Sequence, residues 1–154
     1  MNDGDREILD HFARTRDQTI RLAERVPEDG LARTAAGEEH TLGWLFAHCA
    51  CGTTWWLHNV LRDGQPSVPE RDGDKDWILD VLRATRDRLI AFFSADDGEP
   101  MGRTFSFAES DGTECKWVGR NRVLYLMDHE VHHRGKIVLA LRQWGFKDIP
   151  FLPY

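Results

Sequence analysis

Arg120-Asn121-Arg122-Val123-Leu124-Tyr125-Leu126-Met127-Asp128-His129-Glu130-Val131-His132-His133-Arg134-Gly135, continuing to Trp144, is the stretch that decides the fold. Advancing about 100° per residue from His129, the side chains of Val123, Leu126, Met127, Ile137, Val138, Leu141 and Trp144 occupy an arc from roughly 60° to 180°. That periodicity predicts one long amphipathic helix from near Gly119–Asn121 to Trp144, with Gly145 in the place where helices end. On the same wheel His129 and His133 lie at the near edge of the apolar arc, at about 0° and 40°, and His132 lies at about −60°, further toward solvent. Glu130 and Arg134 fall inside the arc. Two charges there need a partner, and their spacing of four predicts an ion pair between them that fixes the helix beside the histidines.

Three further segments repeat the helical pattern. Ile8, Leu9, Phe12, Thr19, Ile20, Ala23 and Val26 form a stripe predicting a helix over about 5–26, closed by Pro27-Glu28-Asp29-Gly30. Thr41 is a candidate N-cap for a second helix to about Leu61, with Leu42, Phe46, Cys49, Thr53, Trp56, Leu57 and Val60 inward and His48 at the edge of that stripe. A third helix over about 76–94 buries Ile78, Val81, Leu82, Thr85, Leu89, Phe92 and Phe93. Arg62 to Gly73 is a loop by its Gly and Pro content, and residues 95–102 are turn-like. Thr104 to Val118 alternates at Phe105-Ser106-Phe107 and holds Asp111-Gly112, which predicts a short β-hairpin leaning on the helices. The expectation is one all-α domain over 1–154: an antiparallel four-helix bundle with a β-hairpin between its third and fourth helices, and an apolar tail after Gly145 packed back on it.

Composition removes several functions. The net charge of −6 argues against a nucleic-acid partner, whose affinity rests on Lys and Arg neutralising phosphates. The arginines alternate with acids, as in Arg14-Thr15-Arg16-Asp17, a pattern that reads as a solvated face. No apolar run approaches the roughly 20 residues of a membrane span, and Met1-Asn2-Asp3-Gly4-Asp5-Arg6 is charged rather than signal-like, so a cytoplasmic protein without a membrane partner is expected. Cys49, Cys51 and Cys115 form no disulfide framework. On a helix Cys49 and Cys51 point about 200° apart and cannot share a metal, so they read as small buried hydrophobes.

Three of the chain's seven histidines lie within five residues of this helix. Residues four apart stand about 5–6 Å apart at Cβ, so His129 and His133 can close on one ion, with His132 excluded. The letters also satisfy His-Glu-x-x-His, the zinc-protease motif in which the glutamate is general base, but the context does not: only residues 134–154 follow, and Lys136 stands where one subclass needs Gly. Glu130-x-x-His133 is half of a di-iron carboxylate motif with no second copy. A catalytic role for Glu130 stays open behind its structural one.

Leu42-Gly43-Trp44-Leu45-Phe46-Ala47-His48 and His129-Glu130-Val131-His132-His133-Arg134-Gly135-Lys136-Ile137, with Leu141 to Phe146 as a closing segment, resemble the DinB-like (DinB/YfiT-like) family of metalloenzymes over nearly the whole chain. Lys136 departs from the usual Gln. The resemblance implies an antiparallel four-helix bundle, a homodimer, and zinc or nickel held by His48, His129 and His133, and it is what promotes His48 to a third ligand. Three histidines without a fourth protein ligand would leave an open position, as in catalytic zinc sites. The resemblance also implies a thiol-dependent S-transferase, with a low-molecular-weight thiol such as bacillithiol or mycothiol as one partner and an electrophile as the other. Trp44, Trp55 and Trp56 are candidate apolar walls for a substrate, and Trp44, Trp55 and Arg134 are candidate cofactor-binding residues, in the pocket or in the layer behind the ligands. A metal-dependent hydrolase and a non-catalytic metal-binding or stress-response bundle are the alternatives.

Overall fold

A computed structural model describes residues 1–35, 37–109, 111–147 and 149 of the chain. Helix α1 (Asp3–Arg25) starts where Asn2 stays extended and its side chain accepts the Asp5 N–H at 2.9 Å. One-turn helix α2 (Glu28–Leu31) follows, where the sequence predicts only a turn: the Pro27 carbonyl accepts from Gly30 and Leu31 at 2.9 and 3.2 Å, closing a single turn too short for any periodicity. Helix α3 (Leu42–Asn59) is capped by Thr41, whose hydroxyl accepts the Trp44 N–H at 3.0 Å. Residues 62–74 carry neither helix nor strand. Helix α4 (Lys75–Ser94) is capped by Asp74 accepting from Trp77 at 2.8 Å, and a 3-10 turn (Ala95–Gly98) and α5 (Glu99–Gly102) give the predicted turn-like stretch its form.

Strands β1 (Thr104–Ala108) and β2 (Glu114–Val118) pair antiparallel with Phe105 opposite Trp117 and Phe107 opposite Cys115. They lean on the helices as two strands must: Phe105 is buried in the core, and the Phe107 ring meets Trp56 edge-on at 4.8 Å. Helix α6 (Gly119–Gln143) then begins so close to Pro100 that a Cβ on Gly119 would lie 2.0 Å from the Pro100 carbonyl oxygen, and only glycine fits. It ends in a Schellman motif: Gly145 has φ +81°, its N–H reaches the Arg142 carbonyl at 3.0 Å, and Phe146 reaches that of Leu141 at 3.0 Å.

The chain is thus mostly helical with one small two-stranded antiparallel sheet. Among the long helices, α1 packs on α4 and α6, and α3 packs on α4 and α6. They enclose two apolar clusters, one around Leu42, Phe46, Ile78, Leu82, Ile137 and Leu141 and the other around Leu9, Phe12, Leu57, Leu89, Phe93 and Val123. Of the expected packed tail, Phe146 and Ile149 rest on the first cluster; Asp148 and residues 150–154 lie outside the described residues. No helix among the described residues is long and apolar enough to cross a membrane.

Between the two clusters each long helix carries a buried polar residue, and Thr53, Thr85 and Glu130 meet at Arg16. This residue corrects the solvated-face reading of Arg14 to Asp17: it is 0% exposed. Its Nε donates to both Glu130 oxygens at 3.0 and 2.8 Å. Nη1 reaches Thr85 Oγ1 at 2.6 Å and the Leu82 carbonyl at 3.4 Å, while Nη2 reaches Thr53 Oγ1 at 3.0 Å and the Cys49 carbonyl at 3.1 Å. Every donor of the guanidinium is used, on the three other long helices, so that one residue of α1 ties all four together.

Candidate metal centre

The contact of α3 with α6 brings His48 against His129 and His133. His48 Nε2 lies 3.1 Å from His129 Nε2, and His133 Nε2 lies 3.2 Å from the same atom. The three ligand atoms stand within 4.8 Å of one another, and all three rings are half-buried. A tetrahedral ion with metal–nitrogen bonds of about 2.0–2.1 Å spaces its nitrogens about 3.3 Å apart, close to the two short separations here. Burial, reinforced by the neighbouring His129 and His48 rings, pushes His133 down to about 3; burial and then His48 lower His129 in the same way. Both are therefore neutral near pH 7, the form that offers a lone pair to a metal. The donor set fits a divalent cation of the borderline kind that takes imidazole.

Each of the other candidates has a definite place. His132 is exposed, turned away as the helical wheel predicts. Glu130 is 0% exposed and its ion pair is with Arg16, not with Arg134 as expected. The wheel correctly puts both charges on the inner face but does not say which helix will meet them. Arg134 turns to α1, donating to the Thr15 carbonyl at 2.8 Å and to Thr19 Oγ1 at 3.4 Å, which ties α6 to α1. Held by Arg16 in the core, Glu130 is placed to support α6.

A cleft of about 330 Å³ opens beside His48 and His129, walled by Trp55, Trp56, Cys51 and Glu70 among others. Trp55 is 46% exposed, an apolar surface facing solvent next to the histidines. Trp44 does not line the cleft. It stacks on His48 with centroids 4.6 Å apart and planes 14° apart, and His40 stacks on its other side at 3.6 Å. Both helical cysteines are buried, as expected of small hydrophobes. Burial raises Cys49, and Cys51 is pushed up to about 11 by burial and then by Glu70, so neither is a thiolate near neutral pH.

Two residues that matter here escaped the sequence reading. Arg16 had a signal, since it follows Phe12 by four and belongs to the same buried stripe. Glu70 had none. It sits in the irregular segment 62–74, and its Oε1 lies 2.7 Å from His48 Nδ1.

The family model described as "DinB family" matches residues 1–152. The chain is 26% identical to the uncharacterized protein YjoA of Bacillus subtilis over 148 residues, covering 94% of each. The crystal structure of that DinB-like protein superposes with a TM-score of 0.69 at 22% identity, covering 95% of this chain and 97% of the other. A DinB-like protein from Bacillus cereus superposes with a TM-score of 0.72 at 17% identity, covering 96% and 94%. At these identities the two structures speak for the fold alone.

Proposed function

The chain belongs to the DinB family, and from that premise we propose that it holds one divalent ion, zinc or nickel, on His48, His129 and His133 and uses it to act on a low-molecular-weight thiol. The observation that carries this reading is the convergence of three imidazole nitrogens within 4.8 Å at the edge of a cleft. Three protein ligands leave one position for a small molecule, the arrangement of catalytic rather than structural sites. When bound, the ion would supply Lewis acidity there, lowering the pKa of a coordinated thiol or water.

The chain's own residues favour an external thiol. Cys51 is the thiol in the cleft wall, but it is pushed up to about 11 and donates to the Pro69 carbonyl at 3.3 Å, which favours a nucleophile from outside. Trp55 and Trp56 give an apolar wall for the electrophile that receives the sulfur. His129 and His133 stay neutral and available, and the Arg16–Glu130 pair keeps α6 in register behind them. Glu70, a carboxylate in the cleft wall, supports hydrolysis as a second reading, because it could accept a proton from water.

The test is a screen of metal-loaded protein against thiols and electrophiles, with and without chelator. Conjugation that needs both thiol and metal supports S-transfer. Metal-dependent turnover of esters or amides without thiol supports hydrolysis, and turnover indifferent to chelator contradicts both.

A further inference from the structure

We infer that Glu70 is the positioning residue of the three-histidine centre, selecting the edge of His48 that faces the ion. The inference rests on the metal-centre reading. His48 presents Nε2 to His129 at 3.1 Å and Nδ1 to Glu70 Oε1 at 2.7 Å, so its two nitrogens have separate duties. A carboxylate accepts and does not donate, which puts the proton on Nδ1 and leaves the Nε2 lone pair directed at the cluster. Trp44 cannot make this choice. Stacking at 4.6 Å and 14° fixes the plane of the imidazole, yet a half-turn of the ring keeps the stack and exchanges Nδ1 for a carbon. The plane is set by Trp44 and the edge by Glu70.

The segment around Glu70 is built to deliver it. Just before it, the Val68 N–H donates to Thr54 Oγ1 at 2.9 Å and the Pro69 carbonyl accepts from Cys51 at 3.3 Å, both on α3. Just after it, the Arg71 guanidinium lies 4.0 Å over the Trp77 ring of α4, and Asp72 accepts from the Thr41 hydroxyl. Earlier in the segment, Arg88 holds the Asp63 carboxylate and the carbonyls of Gln65 and Pro66, the last two at 2.7 Å each. Tethers thus flank Glu70 on both sides, while its own side chain is 48% exposed and packs into no core. His133 offers the contrast: its Nδ1 is buried with no hydrogen-bond partner among the described residues. Of these two rings, His48 is the one backed by a carboxylate, an arrangement that orients a ligand imidazole and raises its basicity.

Cobalt(II) titration of the full chain, followed by its visible absorption, tests this with wild type, Glu70→Ala and Glu70→Gln. Loss of a supporting residue of this kind weakens metal binding by about 10–100-fold, and that is expected for Glu70→Ala, with an altered cobalt spectrum and an unchanged melting temperature of the metal-free protein. Glu70→Gln keeps an acceptor for Nδ1 and should fall between the other two. Wild-type binding with Glu70→Ala within twofold and spectrally identical overturns the inference alone. So does a Gln variant as weak as Ala, or a loss that tracks a lowered metal-free melting temperature, which would mark a structural contact. A wild-type chain that binds no cobalt overturns the metal-centre reading and this inference with it.

Discussion

His129 and Glu130 are neighbours on α6, yet they belong to two polar centres built on opposite rules. At Glu130 the chemistry is closed: the carboxylate and all the N–H donors of Arg16 find partners on α1, α3, α4 and α6, at about 0% exposure. At His129 it is open, with three nitrogens facing one another at 3.1 and 3.2 Å beside a cleft. A buried polar group that is fully satisfied has nothing left to offer a ligand and serves as scaffold. Three imidazole nitrogens gathered this closely are a donor set that one cation would complete. One residue along the helix separates the buried ion pair from the histidine cluster.

The largest effect should come from breaking the closed centre. Glu130→Ala leaves the Arg16 guanidinium buried without its counter-charge, and such losses cost about 3–5 kcal/mol. Urea denaturation should show a correspondingly lower midpoint, whereas replacing Arg16 and Glu130 together by apolar residues of similar volume should cost much less. An Ala variant within about 1 kcal/mol of wild type would mean that the pair does not hold the helices.

Next comes removal of what completes the open centre. A ligand that binds only the folded state stabilises it by about 2.7 kcal/mol at a hundredfold excess over Kd. Chelation should therefore lower the melting temperature of wild type and leave that of His129→Ala unmoved. Equal shifts in both would place the metal elsewhere.

A further effect, on the metal-free protein, follows from pH. His133 is held down to about 3 and His129 is also lowered, while an unfolded chain protonates its imidazoles near 6.5. Between those values the unfolded state binds protons that the folded state refuses, so the metal-free protein loses stability as pH falls from about 6.5 toward 3 and gains it as pH rises. Urea midpoints measured from pH 7 to 4 should fall more steeply for wild type than for His133→Ala. The smallest effect is expected at His132, which is exposed on the same helix: His132→Ala should keep metal affinity and shift stability by no more than about 0.5 kcal/mol.

The parts legible in the sequence are those governed by local rules. Thr41 caps α3, Gly145 ends α6, and Phe105-Ser106-Phe107 forms a strand, because caps, left-handed glycines and alternation act over a few residues. The wheel of α6 separated His129 and His133 from His132 for the same reason. Partnership between helices was not legible. Glu130 and Arg134 look paired at a spacing of four, but Arg16 arrives from α1 across 114 residues of sequence and takes the carboxylate. Glu70 was still less visible, since Arg88, Thr54, Cys51, Trp77 and Thr41 together bring a loop residue to His48. His48 itself became a ligand candidate only through the family resemblance, and the structure brings it within reach of the other two.

The comparison between the open and closed centres turns on whether a cation completes the first. Elemental analysis of the purified wild-type chain beside His129→Ala measures this directly. About one divalent ion per chain in wild type and almost none in the variant is the predicted result. A metal-free wild type after incubation with zinc and nickel, or the same metal content in both proteins, would contradict it.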